Sequence, residues 1–252
     1  MIDTLTLAQF SAFFPEDHEV PRMLKRHGIA RNGDYDGFVT ILYEDLDVCI
    51  QEFQKSPELR QNDSEDRLTE ELNTQLRRLG YDATHDTSAG GHVDITVKLG
   101  TLTWVAEAKK DQKFIEGFLQ LSTRYRPASG NPAHNAAGLI FYLVKNGKDV
   151  AEKLASWLIE MQDQKLPDFT HRNCQRNPFA FFTAHKAEWS GLPVHIRHVM
   201  VGMHHDPKDA SGRAKGARAL KAKAKPAAKK TRAKRAHPKK TPKPPSTSGN
   251  RP

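Results

Sequence analysis

Along residues 61–144 the apolar positions switch between a period near 3.6 and a period of two, and each switch marks an element. In NDSEDRLTEELNTQLRRLG, Leu68, Leu72, Leu76 and Leu79 recur at helical spacing. Asp63 or Ser64 can cap the start, Glu65 and Asp66 complement the N-terminal dipole, and Gly80 ends the helix. YDATHDT then reads as a strand and SAGG as a turn. In HVDITVKL the residues alternate: Val93, Ile95, Val97 and Leu99 face one way, while His92, Asp94, Thr96 and Lys98 face the other. The Gly100-Thr101 turn leads into LTWVAEAK, a third strand. A helix follows, with Phe114, Phe118, Leu121 and Tyr125 on one side. AAGLIFYLV is a short apolar strand of the kind buried on both faces. Residues 149–162 form another amphipathic helix through Val150, Leu154, Trp157, Leu158 and Met161, and VHIRHVMVGM is a final strand after a loop-rich stretch containing FAFF. The order αβββαβ, then α and β, predicts an α/β fold with a mixed sheet over residues 61–205.

Residues 1–60 look different. Leu46, Ile50 and Phe53 recur at helical spacing within DLDVCIQEFQK, and Pro57 closes the run. The segment is mainly helical and acidic, with six basic against eleven acidic residues. It offers no chemistry, and the expectation is an accessory segment that acts as scaffold or docks a protein partner.

Composition sharpens this picture at the other end of the chain. Of 252 residues, 37% are hydrophobic and 27% charged, and the net charge is +9. That charge is unevenly placed. Residues 206–252 hold sixteen Lys and Arg against two Asp, whereas residues 1–205 carry a net −5. The basic segment has Leu220 as its one large aliphatic residue and no aromatic, so it is expected to be disordered. Its Lys/Ala/Pro texture suits a sequence-blind polyphosphate ligand, because lysine and arginine displace counterions condensed on nucleic acid. Lys221, Lys223, Lys225, Lys229, Lys230, Arg232, Lys234, Arg235, Lys239 and Lys240 are the candidate nucleic-acid contacts. No run approaches the roughly 18 apolar residues of a membrane span, and the N-terminus lacks a basic n-region, so a cytoplasmic setting is expected, at the nucleoid if the source is bacterial. Cys49 and Cys174 form no CxxC pair, and the twelve histidines include no HExxH, so no zinc set is suggested.

Three polar residues carry the chemistry. Asp94 lies on the polar face of the second strand, and Glu107 and Lys109, two apart in the third, share a face. The hairpin makes the strands neighbours, so both carboxylates can converge on one hard cation with the lysine beside it. Phosphodiester hydrolysis uses those parts: carboxylates that hold Mg2+ (or Mn2+), and a lysine that orients the attacking water or takes its proton. The [DE]-x-K pattern is common, and about two to three matches are expected here by chance. Four occur, at Glu107, Asp111, Asp163 and Asp206, but only the first closes an apolar strand next to a strand bearing an inward acid.

On these residues, Ser64 to Tyr125 resembles the PD-(D/E)xK nuclease superfamily, with its restriction-endonuclease-like αβββαβ core. The matching run is Glu65 in SEDRLTEEL, Asp94 in GGHVDITV, and Glu107 with Lys109 in VAEAKK. Gln120 and Tyr125 in FLQLSTRY resemble a glutamine and a tyrosine that many of these nucleases carry on the next helix. The first helix is most similar to those of archaeal Holliday-junction resolvases and type IV restriction enzymes. The resemblance implies Asp94, Glu107 and Glu65 as metal ligands, with Glu70 and Glu71 as competing third carboxylates. It implies Lys109 and Gln120 as the rest of the catalytic set, Mg2+ dependence, DNA as substrate, and a homodimer where both strands are cut. Val93 stands where the family name carries proline, and Tyr125 follows Gln120 by five residues rather than four. The setting suits restriction of foreign DNA or processing of recombining DNA. The alternative is a non-catalytic DNA-binding or nucleoid protein that uses the basic tail alone.

Overall fold

The computed structural model describes residues 6, 9, 12, 13, 18–86, 93–125, 134–145 and 147–209. The chain divides into two units, residues 1–205 and 206–252. The second unit lies almost wholly outside the described residues, as do His92 and every candidate tail contact from Lys221 to Lys240.

The first unit is α/β. Its helices are α1 (Glu19–Asn32), α2 (Tyr35–Lys55), α3 (Glu65–Arg78), α4 (Phe114–Gln120) and α5 (Val150–Asp163). Its strands are β1 (Asp82–Asp86), β2 (Val93–Leu99), β3 (Leu102–Lys110), β4 (Ala136–Leu143), β5 (Thr170–Asn173), β6 (Ala180–Lys186) and β7 (Pro193–Gly202). They form one mixed sheet in the order β1-β2-β3-β4-β7-β6-β5. The β3-β4-β7 centre is parallel, and both flanks are antiparallel.

The sheet is covered on both faces. Helices α2 and α3 pack Phe38, Leu42, Phe53, Leu68 and Leu72 against one face, which presents Ile95, Trp104, Ile140 and Val201. The other face presents Leu139, Phe141, Ile196 and Met200 to Phe118 of α4 and Leu154 and Trp157 of α5. Strand β4 is buried at every position, as a central parallel strand with helices on both sides must be. Gly138 on that strand has no room for a side chain, because a Cβ there would sit 2.4 Å from Trp104 Cζ2.

Two sequence expectations change. The stretch containing FAFF is not loop: it supplies β6, with β5 before it, as a hairpin completing the sheet beside β7. Strand β5 is the four residues THRN, all exposed, so no apolar alternation announced it. The described part of residues 1–60 is also integral to the core rather than accessory to it. Tyr35, Phe38, Ile41, Leu42, Leu46, Cys49, Ile50 and Phe53 of α2 share one buried cluster with α3 and the sheet. No helix of the described residues is long and apolar enough to cross a membrane.

Candidate functional site

The β2–β3 hairpin turns at Gly100, whose φ of 63° lies in the left-handed region where a side chain is unfavourable. Paired positions run from Leu99↔Leu102 to Ile95↔Ala106. At the open end of the hairpin the Asp94 carboxylate accepts a hydrogen bond from the Ala108 backbone N–H, Oδ2 at 2.9 Å. That bond fixes the acid against β3, beside Glu107 and Lys109.

Lys109 is the hub. Its Nζ donates to Glu107 Oε1 in a short contact and to the Ala108 carbonyl at 2.9 Å. It lies 3.6 Å from Asp94 Oδ2 and 3.5 Å from Glu65 Oε1. Glu65 reaches the cluster from the first turn of α3, where the Ser64 hydroxyl accepts from Arg67 N at 3.1 Å and sets the helix start. Its other oxygen accepts from the Lys110 N–H at 2.6 Å. The Lys110 ammonium closes the junction on the Asp63 carbonyl. The structure therefore brings Glu65, Asp94, Glu107 and Lys109 together. The competing acids point elsewhere: Glu70 pairs with Arg77 and Glu71 with Arg60.

Helix α4 presses on this cluster at Gly117, a residue the sequence pattern did not single out. A Cβ there would lie 2.9 Å from Lys109 Cγ and 3.5 Å from Glu107 Cγ. Gln120, one turn later, ends α4, and its Oε1 is buried without a partner. No hydrogen bond joins it to the carboxylates. Leu121–Tyr125 form a π turn, and Phe118 and Leu121 of the expected stripe share one buried cluster, with Phe114 packed against it. The Tyr125 side chain is outside what the structure describes, and Arg124 is exposed. The Asp111 match to [DE]-x-K has a different part: Oδ1 accepts from Val144 N at 2.8 Å and Lys145 N at 2.9 Å, tying the end of β3 to the end of β4.

The electrostatics are unbalanced. Three carboxylates face one ammonium, Glu107 is 1% exposed, and its Oε2 has no hydrogen-bond partner. Burial, then the negative charge of Asp94, pushes the Glu107 carboxyl up to about 7 despite Lys109 beside it. For Lys109 burial acts downward, but the hydrogen bond and charge of Glu107, with Asp94 and Glu65, outweigh it and raise its pKa. Among the described residues no group of three or more His, Cys, Asp or Glu is arranged as a ready metal cage. Here the lysine ammonium sits among the acids instead. Searches of protein-family models, curated proteins and solved structures find no match to this chain.

Proposed function

We propose that this protein is a divalent-metal-dependent nuclease that hydrolyses DNA phosphodiester bonds, and that its α/β fold is of the restriction-endonuclease-like kind. One observation carries the proposal: acids from α3, β2 and β3 converge on the lysine two residues past Glu107, in a half-buried pocket with more negative than positive charge. The orphaned Oε2 of Glu107 and that charge excess fit a hard cation, which oxygen ligands would satisfy.

Asp94 and Glu107 would hold the ion, with Glu65 completing the set. Bound Mg2+ lowers the pKa of a coordinated water and offsets charge developing on the phosphate. The chain's own residues do the rest. Asp94 keeps one oxygen on the Ala108 N–H, so its carboxylate is oriented before any ligand arrives. Lys109 supplies a cation and proton donors at the acids, where it can orient the attacking water and neutralise a phosphate oxygen. Glu65, held by the Lys110 N–H, limits how far that ammonium can swing. Gln120 brings a free amide oxygen on the adjoining helix.

The net +14 of residues 206–252 supports a role in retaining DNA, and the −5 body needs such a partner to approach a polyanion. Restriction of foreign DNA or processing of recombining DNA fits both parts, with a homodimer where both strands are cut. The test is a supercoiled-plasmid assay on the full-length chain. Nicking with Mg2+ that stops on EDTA supports the proposal. DNA binding with no nicking at any divalent metal would favour the non-catalytic alternative.

A further inference from the structure

A cleft of about 720 Å³ lies on the sheet face opposite Glu107 and Lys109, between α2 and the β4-β7-β6-β5 half of the sheet. The strand register lays out its floor. Arg172 of β5 pairs with Phe182 of β6, and Phe182 pairs with Arg197 of β7. In the next row Thr170, Ala184, His195 and Ala136 run across the same four strands. The cleft thus sits at the N-terminal ends of β4 and β7. The carboxylate cluster sits further along, where Glu107 pairs with Leu139 and Lys109 with Phe141.

The charges in the cleft are not equivalent. Arg197 is 2% exposed and donates to Asp47 at 2.5 Å, and Arg176 pairs with Glu44. Both acids are thereby neutralised. Arg172 differs. Its guanidinium lies over the Phe182 ring, 4.0 Å from the centroid, and makes no hydrogen bond or ion pair among the described residues. A planar fork of five donors is thus held flat at an exposed site with no acceptor, which lowers the entropy lost when an acceptor binds. Across the cleft, Asp36 in the first turn of α2 is exposed, and no hydrogen bond or ion pair to another described residue occupies it.

We infer that this cleft binds a mononucleotide, distinct from the nucleic acid handled at the carboxylate cluster. Each open group asks for a different part of that ligand. The free face of the Arg172 guanidinium takes a flat heteroaromatic ring, Phe182 already covering the other face. The guanidinium edge and His195 take the phosphate. Asp36 takes hydroxyl or amino donors, which a bare inorganic anion lacks. The volume falls in the roughly 300–1,000 Å³ range of small-ligand clefts.

The experiment is calorimetric titration of the full-length chain with adenosine 5′-monophosphate, in EDTA and about 0.3 M salt, which screens the basic tail. It reads binding alone, so failure of the nuclease proposal does not affect it. One saturable site is expected. Arg172→Gln should weaken it at least about tenfold, and Asp36→Asn by several-fold. Glu107→Gln should leave it unchanged. Inorganic phosphate at equal concentration should not displace the nucleotide. No saturable binding, equal affinity in Arg172→Gln, or displacement by phosphate alone would each overturn the inference.

Discussion

Two buried ionic clusters in this protein are built from similar parts and behave in opposite ways. At the first, Asp45 of α2 is 2% exposed and accepts four hydrogen bonds. They come from Arg22 Nε at 3.2 Å, Arg22 Nη2, Arg26 Nη1 at 3.0 Å and the Tyr81 hydroxyl at 2.7 Å. Both oxygens are saturated, and the guanidiniums of Arg22, Arg26 and Arg176 pair with Asp45, Glu19 and Glu44. At the second, Glu107 has one oxygen on Lys109 and one on nothing, with two further carboxylates close by. A closed cluster holds helices together. An open one stores unfavourable charge that a cation can relieve, and that difference separates scaffold from site where composition cannot.

Neutralising one acid in each cluster should separate the two. Asp45→Asn should destabilise the fold by about 3–5 kcal/mol, since it breaks the buried pair with the Arg26 guanidinium. Glu107→Gln or Asp94→Asn should leave the melting temperature near that of the unaltered chain yet cut cleavage by about 10²- to 10³-fold. Urea unfolding and plasmid nicking read the two effects separately. Equal destabilisation at both clusters would make the second merely structural.

The third concentration of charge, the basic tail, should act on DNA binding and not on chemistry. If about six of its cations reach phosphates, the slope of log K against log salt is steeper by roughly five units than in a chain cut after His205. Turnover at saturating DNA should survive that cut. A salt titration of both chains on one unrelated duplex gives the slopes, and parallel lines would remove the tail from the account.

A smaller effect is expected at Lys109. Lys109→Met should lower turnover by about 10²-fold while tightening the Mg2+ half-saturation, because the ammonium competes with a metal for the same oxygens. Unchanged turnover would leave the lysine as a counter-ion only.

How much of this was legible beforehand follows from what each signal needs. Strands β2, β3 and β4 and helices α3 and α5 announced themselves through period, and Asp94, Glu107 and Lys109 stood out because acids and a lysine are unusual on such strands. Choosing Glu65 over Glu70 and Glu71 needed geometry: Arg77 and Arg60, which occupy the other two, are placed by tertiary packing. The Asp45 network was invisible, because its partners lie 19 to 36 residues away and an acid within a helical run looks like a solvated face. Gly117 left only the faint trace of a glycine inside a helix, and its reason, the close approach to Lys109, is a distance.

Acid should act least, on the buried histidines and, with the opposite sign, on Glu107, whose raised carboxyl takes up a proton in the folded chain below about 7. His198 accepts from Trp157 Nε1 at 3.0 Å and contacts Thr183 Oγ1 at 2.9 Å. Burial, then the charge of His185, lowers its pKa to about 3, and burial with His195 lowers His185 to about 4. An unfolded histidine protonates near 6.5 while these stay neutral, so stability is fully present above that pH and is lost as pH falls toward 4. The expected loss is at most ~1.4 kcal/mol per pH unit for each histidine. Denaturant midpoints of Glu107→Gln, which removes the opposing carboxyl, should show this slope between pH 6.5 and 4.5, reduced when His198→Gln is added. A flat profile would contradict it.

The open cluster, and not the closed one, should take a divalent cation. Melting temperature followed against Mg2+ concentration at pH 8, without DNA, tests it most directly. The unaltered chain should gain stability with the logarithm of Mg2+, by about 2.7 kcal/mol at a hundred times the dissociation constant, and Glu107→Gln should not respond. A flat response in the unaltered chain, or the same rise in both, would contradict the account.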